Sequence, residues 1–95
     1  MLNSQKKLKV GNADLFIYGK LCILQFNNVI FLGTERLPSE YCPKQQIWSA
    51  VSVDKTESRN NSDRVTVKPN GTIIIQINGS DVTNVEARGQ ILWSI

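Results

Sequence analysis

Seven short runs of strand-forming residues, each bounded by turn chemistry, leave this chain few ways to fold other than as layered sheets. They are Leu15–Tyr18, Leu21–Phe26, Val29–Leu32, Ile47–Val53, Val65–Lys68, Thr72–Ile77 and Gln90–Ile95, all rich in Ile, Val, Leu and aromatics. Gly19 separates the first pair. Asn27-Asn28 lies between two apolar runs and suits a two-residue hairpin, because Asn tolerates positive φ. Pro69-Asn70-Gly71 is the clearest turn: Pro presets φ and Gly takes the left-handed position. Asn78-Gly79-Ser80-Asp81 closes the strand that follows. No segment carries a helical stripe, and Pro38 and Pro43 interrupt the one non-strand stretch of useful length. The pattern predicts an all-β fold, a small antiparallel β-sandwich or barrel of about seven to eight short strands.

The faces of those strands carry a second constraint. Val65 and Val67 alternate with Thr66 and Lys68, and Ile91, Trp93 and Ile95 alternate with Leu92 and Ser94, as strands with one buried face do. Leu15-Phe16-Ile17-Tyr18, Val29-Ile30-Phe31-Leu32 and Ile73-Ile74-Ile75 are apolar on both faces. Either a closed barrel or another subunit has to cover the second face. A chain of 95 residues has little spare material for the purpose, which favours a subunit.

Charge narrows the partners. Lys6, Lys7 and Lys9 fall in the first nine residues with no acid among them. The remaining basic residues number 11 − 3 = 8, matching the 8 acids, so the body from Val10 onward is neutral. A nucleic-acid-binding domain needs a basic face for several phosphates, and none is expected here. Residues 1–9 read as a solvated basic tail or the end of a linker. No apolar run reaches the roughly twenty residues of a membrane-spanning helix. The start lacks the apolar stretch of a secretion signal, so neither membrane insertion nor self-directed secretion is expected.

Catalytic chemistry is sparse. There is no histidine, which removes the commonest general base, nucleophile partner and transition-metal ligand. Two cysteines alone cannot complete a structural zinc site, and Gly11, Gly19 and Gly33 are isolated rather than grouped in a phosphate loop. Glu35, Glu40, Asp63 and Asp81 read as solvated loop charges rather than a carboxylate pair of a hydrolase. No enzyme, cofactor or metal is expected. Cys22, beside Ile23 in a strand, reads as a small buried hydrophobe, with a disulfide to Cys42 as the alternative.

Recognition has better candidates. Asp54–Asp63 is a polar insert without one apolar residue. It is either a solvated hairpin loop or a recognition loop. Trp48 is out of phase with Ile47, Val51 and Val53 and points to the opposite face, as a binding platform or an interface residue. Trp93 is in phase with Ile91 and Ile95 and reads as core. Sugars present hydroxyls and apolar C–H faces, so a saccharide site needs polar side chains beside an aromatic. Asp54, Arg59, Asn60, Asn61, Asp63 and Arg64 supply the first, and Trp48 the second.

The stretch Leu37-Pro38-Ser39-Glu40-Tyr41-Cys42-Pro43 resembles the Leu-Pro-x-x-Tyr-Arg-Pro motif in C-terminal head domains of bacteriophage tail-fibre, baseplate and receptor-binding proteins of Gram-positive hosts. The flanking order is similar too. Two strands precede it, Ile-Trp-Ser-Ala-Val-Ser-Val follows, then a strand–Asn-Gly–strand hairpin over Val65–Gln76 and a final strand, Gly89–Ile95. The resemblance covers about Val10 to Ile95, with Cys42 where the family commonly has Arg and the insert at Asp54–Asp63 as departures. It implies a head domain over residues 10–95, usually a homotrimer, at the tail tip of a virion assembled in a host cytoplasm. Its partner would be a host cell-wall saccharide, in a receptor-binding (host adhesion) role. The alternative it implies is a purely structural trimerisation or docking domain that meets another tail protein and has no ligand. The motif itself reports fold, with Pro38 and Pro43 shaping a connection between sheets.

Overall fold

A computed structural model describes residues 5–53 and 63–95. Those residues form nine strands: β1 (Gln5–Val10), β2 (Ala13–Tyr18), β3 (Leu21–Phe31), β4 (Ile47–Ala50), β5 (Ser52–Val53), β6 (Asp63–Val67), β7 (Ile73–Ile77), β8 (Ser80–Val82) and β9 (Val85–Ser94). A 3₁₀ turn at Ser39–Tyr41 is the one helical element among them. The strands make two antiparallel sheets, ordered β1-β2-β3-β9-β5 and β4-β6-β7-β8. The fold is a small all-β sandwich.

Alternation sets the core. Along β2, Ala13, Leu15 and Ile17 are buried while Asp14 and Phe16 are half-buried and Tyr18 exposed. The first sheet also sends Cys22, Leu24, Phe26, Phe31, Ala87, Ile91 and Trp93 inward, and the second meets them with Val65, Val67, Ile73 and Ile75. Trp93 is core, in agreement with its phase, and its indole Nε1 donates to the Tyr41 carbonyl at 2.8 Å.

Several local expectations are corrected. The lysine-rich start is no tail from Gln5 onward. It is β1, paired with β2 from Gln5↔Tyr18 to Val10↔Ala13. Lysines suit this place, because an edge strand lined with charge resists pairing with other chains. Asn27-Asn28 is not a hairpin turn. β3 runs on through it with a bulge, where Asn28 takes φ 54° and the register against β9 shifts between Asn27 and Val29. Ile47–Val53 is not one strand either. It changes sheets at Val51, with β4 on β6 and β5 on β9. Gly89 makes that crossing feasible, since a Cβ there would lie 2.9 Å from Val51 Cγ1. The turn after β7 is the two-residue Asn78-Gly79, both at positive φ, and Ser80 and Asp81 already belong to β8.

The Leu37–Pro43 segment connects the sheets, with Leu37 and Pro43 buried. Leu37 N donates to Gly71 O at 3.0 Å, and Lys6 Nζ donates to the Tyr41 hydroxyl at 3.4 Å. These contacts hold the chain across the open side between β1 and the turn before β7.

Glu35 is a further correction: it is buried, not a solvated charge. Its two carboxylate oxygens accept from Leu32 N and Gly33 N, each at 2.8 Å, and turn the chain at the end of β3. Its stem lies against Gly11, where φ is 64° and an added Cβ would run into Glu35 Cγ. Charge-assisted bonds of this kind are the stronger ones. Glu35→Ala should cost about 2–3 kcal/mol and lower Tm by roughly 10–20 °C. Gly11→Ala should also destabilise. The double variant should lose less than the sum of the two, because truncating Glu35 makes room for the new methyl. Thermal melts of all four proteins decide this, and strict additivity would refute the contact.

Both cysteines are free, Cys22 buried and Cys42 half-buried. Burial raises both thiols above the ordinary cysteine pKa. Each therefore holds less thiolate at a given pH than a free cysteine. A disulfide-forming reagent at neutral pH should react with the native protein more slowly than with free cysteine, and titrate two thiols after denaturation. Fewer than two under non-reducing conditions would contradict the free state.

Candidate functional site

The outer face of the second sheet gathers the described candidates. Trp48 on β4 pairs with Thr66, and Ala50 with Arg64, so Arg64 is the diagonal neighbour of Trp48 on the same face. Strand phase directs Trp48 outward, and it is 59% exposed while Ile47 packs on the core. The Arg64 guanidinium carbon lies 4.4 Å from the centroid of the Trp48 ring. This is a cation–π pair, worth about 0.5–1 kcal/mol at an exposed position.

The row continues across the sheet. Arg64 pairs with Gln76, and Gln76 with Asp81 of β8, where Gln76 Nε2 donates to Asp81 Oδ1 at 2.8 Å. Thr66 is buried between its two partners in the neighbouring row, Trp48 on β4 and half-buried Ile74 on β7. The result is a strip of two rows. Trp48, Thr66 and Ile74 form one, and Arg64, Gln76 and Asp81 the other, with the amide–carboxylate pair at the β8 end. Sequence reasoning does not single out Thr66, Gln76 and Asp81 as site residues. Their shared phase with Arg64 is visible in sequence, but which strands neighbour β6 is not.

Asp63 plays a different part. Its Oδ2 accepts from Val53 N at 3.2 Å and its backbone oxygen accepts from Val51 N at 3.1 Å. It clasps the start of β6 to the end of β5, and its described bonds are structural. Asp54, Arg59, Asn60 and Asn61 lie outside the described residues. The insert leaves the described fold at Val53 and re-enters at Asp63, next to Arg64.

The first sheet's outer face is chemically unlike the second's. Lys7, Phe16, Ile23 and Leu92 form one row, and Tyr18 and Leu21 pair in the next. Tyr18, Leu21 and Leu92 are 41–48% exposed, and Lys7 Nζ lies 5.7 Å from the Phe16 ring centroid. The second apolar face expected for β2 is therefore open to solvent in the single chain, as are Ile30 and Leu32. No closed barrel covers them.

No protein-family model matches the chain, and no curated protein or solved structure does either.

The two tryptophans should separate cleanly in solution. Trp48→Ala should cost less than about 1 kcal/mol, the worth of an exposed cation–π contact. Trp93→Ala should cost about 3–5 kcal/mol through the cavity it opens. Urea denaturation measures both. A Trp48 variant as unstable as the Trp93 variant would mark Trp48 as a structural residue.

Proposed function

We propose that the chain is the receptor-binding head of a bacteriophage tail or baseplate, and that it engages a host cell-wall saccharide on the outer face of its second sheet. The supporting observation is Trp48, 59% exposed and held beside Arg64, with the polar pair Gln76–Asp81 on the same face. A sugar ring stacks its C–H face on an aromatic, while its hydroxyls exchange hydrogen bonds with guanidinium, amide and carboxylate groups. The phage assignment, with its tail-tip location and assembly in a host cytoplasm, comes from the resemblance of Leu37–Pro43 and its flanking strands. On this reading the chain binds rather than catalyses, without cofactor, metal or nucleic acid.

A second reading is favoured by one specific feature. The patch of Phe16, Tyr18, Leu21, Ile23 and Leu92 suits a structural trimerisation or docking domain with no ligand. The second reading excludes a ligand, but an association surface on the first sheet is also compatible with a saccharide site on the second, because the two lie on opposite sheets. The homotrimer is part of the proposal, and its number rests on the resemblance.

The test compares Trp48→Ala and Leu92→Glu with the parent by light scattering and by sedimentation with a panel of Gram-positive cell walls. Trp48→Ala should keep the parent's mass and weaken wall binding at least tenfold. Leu92→Glu should fall to the 10.7 kDa monomer. A parent that is itself a 10.7 kDa monomer at micromolar concentration overturns the trimer. Undiminished wall binding by Trp48→Ala moves the site elsewhere.

A further inference from the structure

The charge around Trp48 narrows the kind of saccharide. A guanidinium stacked on a ring uses its face for the contact and keeps the N–H donors of its rim available. The Arg64 guanidinium lies over the Trp48 ring, its carbon 4.4 Å from the centroid. Among the described residues no carboxylate pairs with it. Asp63 of the same strand directs Oδ2 to Val53 N, and Asp81, two strands away in the same row, accepts from Gln76 Nε2. Lys68 continues the phase of Arg64 and Thr66 one position past the end of β6. Among the described residues, the face thus carries an aromatic, a cation held beside it and a second cation in phase, against one acid that is already engaged.

From this we infer that the Trp48–Arg64 pair receives an anionic group, a carboxylate or a phosphate, carried by an acidic saccharide. The inference rests on the saccharide reading of this face. The sugar ring lies on Trp48 and its anionic substituent takes the rim of Arg64, where two parallel N–H···O bonds match either oxyanion. Stacking removes much of the rotamer freedom that a free arginine loses on binding, so the site is partly organised beforehand. A neutral sugar would use the same ring but offer the cation only hydroxyls, without a charged partner.

The experiment is calorimetric titration of the full chain with four probes. They are a galacturonate hexamer carrying carboxylates, a maltohexaose phosphorylated at its sugar rings, unmodified maltohexaose, and a single-stranded oligonucleotide. At least one acidic saccharide should bind at least tenfold more tightly than neutral maltohexaose, and the advantage should shrink as salt is raised. Which of the two wins tells carboxylate from phosphate. Arg64→Gln should weaken acidic binding much more than neutral binding and so abolish the acidic preference. Arg64→Lys should recover only part of the difference, because a point charge cannot make the paired bonds. Equal affinity for acidic and neutral hexamers overturns this inference and leaves the saccharide reading standing. Silence from all three saccharides overturns both, and binding of the oligonucleotide alone replaces them with a nucleic-acid surface. An acidic preference that survives Arg64→Gln places the anion elsewhere and overturns the assignment to this pair.

Discussion

The pairing of β3 with β9 is the interaction from which the rest of the fold hangs. It runs from Leu21↔Ser94 to Phe31↔Val85, and β2, β1 and β5 attach to its two outer edges. A ladder this long needs one correction along the way. Before Asn28 the even-numbered residues Cys22, Leu24 and Phe26 point inward, and after it the odd-numbered Phe31 does. The bulge supplies the extra residue that switches the phase. Without it Phe31 would turn to solvent and lose its edge-to-face contact with Phe26, 6.2 Å between centroids.

Once that sheet exists, two connecting segments help tie the second to it. One is the crossing at Val51, which depends on the absence of a side chain at Gly89. The other is the Leu37–Pro43 connection, bound to the Gly71 turn through Leu37 and to the core through the Trp93–Tyr41 hydrogen bond. The resemblance-bearing motif is thus part of the scaffold. Tyr41 is committed to Trp93 and Lys6, and Cys42 Sγ approaches Pro38 O at 3.5 Å, leaving little there to meet a ligand.

Much of this architecture is legible in the amino-acid sequence, for reasons specific to each segment. Strand identity and the inward phase of Trp93 follow from period-two alternation, which is a local property. Trp48's outward orientation follows from the same rule. What the sequence hides is non-local. Asn27-Asn28 has the chemistry of a hairpin turn and of a bulge alike, and only the partner strand β9 decides between them. Lys6, Lys7 and Lys9 have the composition of a tail, yet an edge strand needs backbone partners more than buried side chains. Glu35 looks like any loop carboxylate, since the Leu32 and Gly33 amides that hold it are backbone groups without a sequence signal. For the candidate site, Trp48 and Arg64 are legible as types and as phases, but their contact depends on the β4–β6 register. Thr66 joins through that same register, and Gln76 and Asp81 only through the order of β6, β7 and β8, which no local pattern encodes.

That strand order also gives the two outer faces different chemistry. The first sheet's outer face is apolar along Phe16, Ile23 and Leu92, with Lys7 and Lys9 at its β1 edge, which suits contact with protein. The second presents a tryptophan, a stacked arginine and a hydrogen-bonded amide–carboxylate pair on a shallow surface, which suits a polar ligand with flat apolar patches. Because the core of Val65, Val67, Ile73 and Ile75 lies between the two, a substitution on one outer face does not touch the other. Asp63 adds the last constraint. By holding Val51 and Val53 through its backbone oxygen and its carboxylate, it brings both ends of the polar insert to the same edge of β6, one residue from Arg64.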